Sequence, residues 1–242
     1  MQSNRIVSQE EWFRAHKAHL AREKQLTRLR DEIAAERRKL PWLKIRKDYV
    51  FETEQGPRRL AELFKGKSQL IVYHFMQGSG GHRCPGCAFL ADHIDGADRH
   101  LKHHDVSLVV VSRAPLDELL PYKRRMGWKF DWVSSYASDF NFDMQVSFTD
   151  RQIAAGNTTY NFETRPLQSR ELPGASVFYR NEAGDICLTF IVRARGGDAL
   201  IGAYHYFDLT PKGRNEDRRG MMGWLRLHDE YEDEAKTEGC CC

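Results

Sequence analysis

At 242 residues the chain has room for one domain with extensions, or at most two small ones, and a core of that size needs no disulfide staples. A net charge of +3, with 41% hydrophobic and 29% charged residues, excludes a molecule that gathers nucleic acid by overall charge. No apolar run approaches the ~20 residues of a membrane span, and Met1 to Arg5 leads into charged sequence rather than the apolar core of a leader, so a cytoplasmic protein without membrane or nucleic-acid partners is expected.

The charge is uneven. Residues 1–50 hold thirteen Lys/Arg against seven Asp/Glu, and residues 208–242 hold six against nine. Solvated surface accounts for this; a basic docking face is the sharper alternative. Residues 9–40 read as one helix, with Ser8 as N-cap, Glu11 completing a capping box and Pro41 as the stop. Its apolar stripe (Trp12, Leu20, Leu26, Leu29, Ile33, Leu40) is thin, so this arm is expected either to lie across the main domain or to pair with a second copy of the chain.

Residues 42–51 read as extended and 58–64 as a short helix. Leu70–Met76, apolar and rich in β-formers, reads as a buried central strand. A helix over 85–104, a strand over 107–111 and a helix over 117–126 follow. The order β-α-β-α predicts a parallel sheet with right-handed crossovers. The stretch 128–148 is aromatic, with a short strand at 132–136, and is either core or one wall of a cleft. Residues 149–171 read as irregular. A hairpin over 175–192, a helix over 198–207, a short helix over 220–230 and an acidic tail ending Cys240-Cys241-Cys242 complete the chain.

Between the first strand and its helix stands Gly78-Ser79-Gly80-Gly81-His82-Arg83-Cys84-Pro85-Gly86-Cys87. Two cysteines three apart in a first helical turn can close a small disulfide ring, and the free N–H groups there favour the thiolate of the first. Of the six cysteines, two form this pair, Cys187 stands alone in a strand as a small hydrophobe, and three end the chain, which is no structural disulfide framework. The same pair is half of a four-ligand zinc site, for which His82 or the terminal cysteines could supply the remainder. His100, His103 and His104 share a helical face and are a weaker metal candidate. Gly78–Gly81 lacks the Lys-Ser/Thr of a phosphate-binding loop.

A strand, Cys-x-x-Cys at a helix start, a second βα unit, a hairpin and a last helix resemble the thioredoxin fold. The stretch Leu172-Pro173-Gly174-Ala175-Ser176-Val177-Phe178 is similar to the thioredoxin strand that begins with a cis-proline and faces the dithiol. The resemblance implies a cis bond before Pro173 and a strand edge there that receives an extended substrate. Over roughly residues 20–230 the chain also resembles a bacterial thioredoxin-like family of unknown function. The matching phrases include Leu40-Pro41-Trp42, Gln69 to Met76, Cys84 to Cys87, Phe89 to His93, Val111 to Pro115, Tyr122 to Trp128 and Asp208 to Arg214. This implies the fold and a redox centre but supplies no substrate.

The expected architecture is therefore α/β: a thioredoxin-like fold, a central mixed sheet flanked by helices over 42–211, with an N-terminal helical arm over 1–41 and a C-terminal extension over 212–242. The expected activity is thiol–disulfide exchange. Cys84 attacks, Cys87 resolves and Pro173 lies against both sulfurs. His82 and Arg83 favour the anion, Pro85 and Gly86 are supporting residues of the motif, and His74 is either a satisfied core histidine or a proton relay, a place Tyr73 could equally take. A protein or small-molecule disulfide and an unknown electron donor are the expected partners, with no resident cofactor or metal. The long gap from Cys84 to Pro173 is more like peroxiredoxins. Their Pro-x-x-x-Thr/Ser-x-x-Cys pattern is absent before both Cys84 and Cys87, so a peroxidase here would use other donors, such as Arg113 or Arg124. A zinc clip or scaffold protein is the non-enzymatic alternative.

Overall fold

The computed structural model describes residues 4–81, 83–216 and 220–231. The chain divides into two units, one ending at Trp42 and one beginning at Leu43. The first is helix α1, Gln9–Arg37. Ser8 Oγ accepts from the Glu11 amide at 3.2 Å, while the Glu11 carboxylate pairs with Arg5 at 2.9 Å, so the cap forms but the reciprocal half of the box does not. No residue of α1 is buried, as its thin stripe implies.

The second unit carries a six-stranded mixed sheet. Its strands are β1 (Leu43–Lys44), β4 (Gln69–His74), β5 (Val106–Ser112), β6 (Asp131–Ser134), β9 (Gly174–Arg180) and β10 (Ile186–Arg193), in the order β1-β10-β9-β4-β5-β6. The strands β4, β5 and β6 are parallel; β9 runs against β4, and β10, antiparallel to β9, returns to the direction of β4. Two small antiparallel pairs sit outside it: β2 (Val50–Phe51) with β3 (Arg58–Arg59), and β7 (Thr158–Tyr160) with β8 (Glu163–Arg165). The helices are α2 (Leu60–Leu63), α3 (Pro85–Ala91), α4 (Ile94–His103), α5 (Leu116–Arg125), α6 (Phe140–Asp143), α7 (Asp150–Ala154) and α8 (Gly202–Asp208).

Alternation along the strands divides the core into two layers. Tyr73, Phe75, Val110 and Trp132 join Cys84, Cys87 and Leu90 on one face, and Leu70, Val72, Val109 and Val133 join Phe64 and Phe140 on the other. Most of the aromatic stretch belongs to this core: Trp128, Phe130, Trp132, Phe140 and Phe148 are buried, while Tyr136 is exposed. Trp128, Phe130 and Trp132 pack around Phe75, whose ring lies 4.8 Å from that of Trp132.

Several expectations need correction. The helix over 85–104 is two helices, broken at Asp92 and His93. Asp92 Oδ1 accepts the Trp128 indole N–H at 2.7 Å and meets His228 Nδ1 at 2.7 Å, while His93 Nε2 accepts the Ala203 amide at 3.0 Å. Long-range partners at both residues replace helix continuation. Residues 149–171 are not irregular: Thr149 and Gln152 form a capping box that starts α7, and the β7–β8 pair follows. The expected helix over 198–207 is a 3-10 turn over 194–200 followed by α8. The expected helix over 220–230 is a run of turns with a 3-10 helix only at His228–Glu230. This segment belongs to the second unit, and Leu227 is 3% exposed within the same core layer as the two cysteines. The terminal cysteines Cys240 to Cys242 lie outside the described residues.

Candidate active site

The central strand β4 delivers the chain to a glycine loop. Gly80 and Gly81 adopt φ of +93° and +84°, which a side chain would resist. Glu118 of α5 fixes this loop by accepting from Ser79 Oγ and the Gly80 amide, each at 3.1 Å. Cys84 then takes an extended conformation as N-cap of α3, and Pro85 occupies the first helical position, where a missing N–H costs nothing. This places Cys84 Sγ in line with the amides of the first turn. The Cys87 N–H donates to it at 3.2 Å.

Both cysteines are free thiols and both are buried, at 7% and 2% exposure. Their environments separate them. The Cys87 thiol, hydrogen-bonded to Cys84, holds the Cys84 pKa below its ordinary value, aided by the amides of Cys87 and Gly86 and opposed by burial. Burial, then the adjacent Cys84, pushes Cys87 well above its own. The arrangement is a thiolate at 84 receiving a hydrogen bond from a thiol at 87.

A cavity of about 260 Å³ opens on the pair. Pro173, Gly174 and Ala175 form one wall, Leu90 and Ile201 another, and Met222 covers Gly86. A Cβ at Gly86 would stand 3.0 Å from Met222 Sδ. The cover comes from the C-terminal segment, tied down by Arg125 to Asp229 at 2.6 Å, by the His228–Asp92 contact, and by Trp224 edge-on to Phe89 and Phe207.

Of the residues singled out in the sequence, Cys84, Cys87, Pro173 and Gly86 line one cavity. The bond before Pro173 is trans, because no described peptide bond is cis. Residues 170–172 run extended beside Val146 to Phe148, with the Leu172 amide donating to Val146 O at 2.8 Å and the Phe148 amide to Arg170 O at 2.9 Å. The chain therefore reaches β9 without a reversal. His74 points away from the cysteines. It lies on the other face of β4, stacked near Phe140 with Nε2 2.9 Å from Ser176 Oγ. One residue of register puts Tyr73 there instead, its hydroxyl donating to Cys87 O at 3.4 Å. Arg83 lies over the Tyr122 ring at 5.0 Å, and the shift at Cys84 arises from Cys87 and the amides rather than from this guanidinium. His82 lies outside the described residues. Neither Arg113 nor Arg124 lines the cavity, and none of the aromatic residues of 128–148 does. Arg113 instead sits over Phe142 at 4.1 Å and pairs with Glu171 at 3.8 Å. Among the described residues no group of three or more His, Cys, Asp or Glu is placed to hold a metal, and none of their helices is long and apolar enough to cross a membrane.

Two residues that sequence reasoning passed over build the wall facing the cysteines. The Tyr160 hydroxyl donates to Pro173 O at 2.7 Å and accepts from the Ala194 amide at 3.0 Å. Arg193, 5% exposed, donates to Ala175 O and Met144 O, each at 2.8 Å, and burial brings its pKa down to about 10. Its stem lies where Gly174 lacks a side chain. An arginine ending an apolar strand was the available signal.

A central strand leading into Cys-x-x-Cys at a helix start, a parallel βαβ unit and an antiparallel hairpin define a thioredoxin-like fold. The chain belongs to a family described as "Bacterial protein of unknown function (DUF899)", whose model matches residues 1–231. No curated protein matches it. Similar solved structures include the peroxidoxin BcpB of Mycobacterium tuberculosis, at 13% identity and a TM-score of 0.42 over 64% of this chain and 90% of that one. A candidate thiol:disulfide interchange protein DsbE of Chlorobium tepidum scores 0.41 at 11% identity over 66% and 93%. A hypothetical protein of Sinorhizobium meliloti 1021 scores 0.43 at 15% identity over 70% and 82%. At such identities and scores nothing about activity transfers to this chain.

Proposed function

We propose that this protein is a thiol–disulfide oxidoreductase whose working groups are Cys84 and Cys87. The observation that carries the reading is the asymmetry of the pair: a thiolate-favouring Cys84 at a cavity wall, held by the thiol and amide of Cys87. The Cys84 thiolate attacks one sulfur of a substrate R–S–S–R′. The substrate S–S bond breaks, a Cys84–S–S–R bond forms and R′S⁻ leaves. Cys84 is then neutral, which removes two of the causes that hold the Cys87 pKa up. Cys87 loses its proton to the departing RS⁻ as its sulfur attacks Cys84 Sγ, closing the Cys84–Cys87 disulfide. Two electrons pass from the protein to the substrate, and an external dithiol returns the pair to the reduced state. Pro173, on the facing wall, has no N–H to donate to the sulfurs. In the cytoplasm, where the chain is expected, the cycle runs toward substrate reduction.

The test is a redox titration in poised dithiothreitol buffers, following alkylated mass for wild type, Cys84→Ser and Cys87→Ser. A Cys84–Cys87 disulfide, read from peptide masses so that Cys187 and Cys240 to Cys242 do not contribute, should form in wild type and in neither variant. No Cys84–Cys87 disulfide at any potential would sink the reading.

A further inference from the structure

The cavity differs from what a protein-disulfide reductase needs. An extended polypeptide docks on such a site by pairing with free backbone beside the dithiol. Here that backbone is taken. Leu172 N–H is bonded to Val146 O, Pro173 O to Tyr160 Oη, and β9 lies between β4 and β10 with both sides paired. Met222 covers Gly86, and the Cys84 sulfur is reached through the cavity rather than from an open surface.

The cavity itself is small and apolar. Met76, Leu90, Val192, Leu200, Ile201 and Met222 supply its side chains. Among the described lining residues Asp198 is the one acidic residue, and its carboxylate is already paired with Arg214 at 2.9 Å and Arg195 at 3.0 Å. Among the described lining residues there is no Lys, Arg, His, Ser or Thr to polarise an O–O bond or hold a leaving oxygen. Besides the two thiols, the Tyr73 hydroxyl is the remaining polar side-chain group among the described lining residues, and it donates to Cys87 O. A disulfide needs no such donor, because its sulfur is soft, weakly hydrated and leaves as a thiolate.

We propose that the substrate is a small-molecule disulfide carrying short apolar substituents, which enter between Leu90, Val192, Ile201 and Met222 while one sulfur meets Cys84. The proposal rests on the dithiol reading above and narrows it. Gly197, also on the lining, sets the depth available: a Cβ there would lie 3.8 Å from Leu90 Cδ1, an ordinary contact, so a larger side chain fills the cavity without displacing backbone. The exchange is the one already balanced, with R and R′ both alkyl and a dithiol as the returning reductant.

The experiment measures initial rates of Cys84–Cys87 oxidation by dipropyl disulfide, glutathione disulfide, insulin and cumene hydroperoxide. Each rate is divided by that of the same oxidant with a small free thiol. Dipropyl disulfide should exceed each of the others by at least about tenfold, the scale set by burying a few methylene groups. Gly197→Leu should collapse that ratio. Leu200→Ser, at a position 43% exposed where folding is little affected, should reduce it several-fold. Equal or reversed rates with glutathione disulfide or insulin, a faster hydroperoxide, or an unaltered ratio in folded Gly197→Leu would each overturn the substrate class. The failures are distinguishable: a disulfide formed in poised buffer without apolar preference sinks this inference alone, whereas no disulfide in any buffer sinks the dithiol reading as well.

Discussion

The Cys87 amide points at the Cys84 sulfur across 3.2 Å, so the residue that would resolve a mixed disulfide also stabilises the attacking anion. The Cys87 thiol is the larger contributor to the lowered Cys84 pKa, ahead of the amides. Alkylation of Cys84 should therefore show a midpoint below the ~8.5 of a free thiol. Cys87→Ala, which loses the thiol donor but keeps the amide, should move the midpoint up. Cys87→Ser, which keeps a donor, should move it less. The check is iodoacetamide labelling against pH, read by peptide mass. A midpoint in Cys87→Ala equal to wild type would show that the thiol contributes nothing.

His74 and Tyr73 are adjacent in sequence and lie on opposite faces of β4. His74→Gln should destabilise the fold, because a buried ring beside Phe140 and a bond to Ser176 are lost, at a cost of about 1–3 kcal/mol. It should leave the pH midpoint of Cys84 alkylation in place. Denaturant melts and the labelling profile separate the two effects. A displaced midpoint would place His74 in communication with the dithiol.

The sequence made the central sheet readable because β4 and β5 are short apolar runs bounded by turns, and made the dithiol readable because its spacing is local. Which face of β4 meets the cysteines was not readable. Tyr73 and His74 differ by one residue, and periodicity fixes two faces without saying which one a distant helix covers. The Pro173 wall was misread for a related reason. Its trans bond follows from pairing with Val146 to Phe148, a contact across some two dozen residues that no local pattern announces. The cover over Gly86 escaped notice because residues 220–230 read as a short helix, whereas they run as turns from which Met222, Trp224 and Leu227 reach Gly86, Phe89 and the cysteine layer.

Gly174 begins β9 where no side chain fits. A Cβ there would meet Arg193 Nη1 at 2.6 Å and Val192 O at 2.7 Å. The backbone oxygen cannot step aside, and the arginine is bound to Ala175 O and Met144 O. Gly174→Ala should lose roughly 2–4 kcal/mol of stability in urea melts, a large effect for one methyl group. A loss below about 0.5 kcal/mol, the range of an ordinary surface change, would show that this wall yields.

Leu227 anchors the C-terminal segment in the dithiol layer. Truncating a buried leucine costs about 2–5 kcal/mol when the whole fold bears it. Here the segment's other ties are the Trp224 ring against Phe89 and Phe207, the His228–Asp92 contact and surface pairs such as Arg125–Asp229, the last worth about 1 kcal/mol or less. Leu227→Ala should therefore release residues 220–231 before the sheet unfolds. Amide exchange should rise in that segment alone, and Cys84 should react faster with bulky maleimides. Uniform loss of protection across β4 and β5 would contradict a separately detachable cover.

Glu171 adds a pH dependence distinct from that of the cysteines. Burial raises its pKa to about 7, against the Ser147 hydroxyl at 2.5 Å and the Arg113 guanidinium at 3.8 Å, which pull it down. A carboxyl with a raised folded pKa binds more protons in the native state than in the unfolded one between about 4.5 and 7. Its contribution is complete below the lower value and is lost as pH rises through the upper one. Stability should therefore decline across that interval, by at most about 3–4 kcal/mol at 1.36 kcal/mol per pKa unit. Glu171→Gln keeps the shape and removes the proton, so its stability curve should be flatter there than that of wild type. Parallel curves for the two proteins from pH 4.5 to 7 would place the ionisation of Glu171 at its ordinary value in the native state.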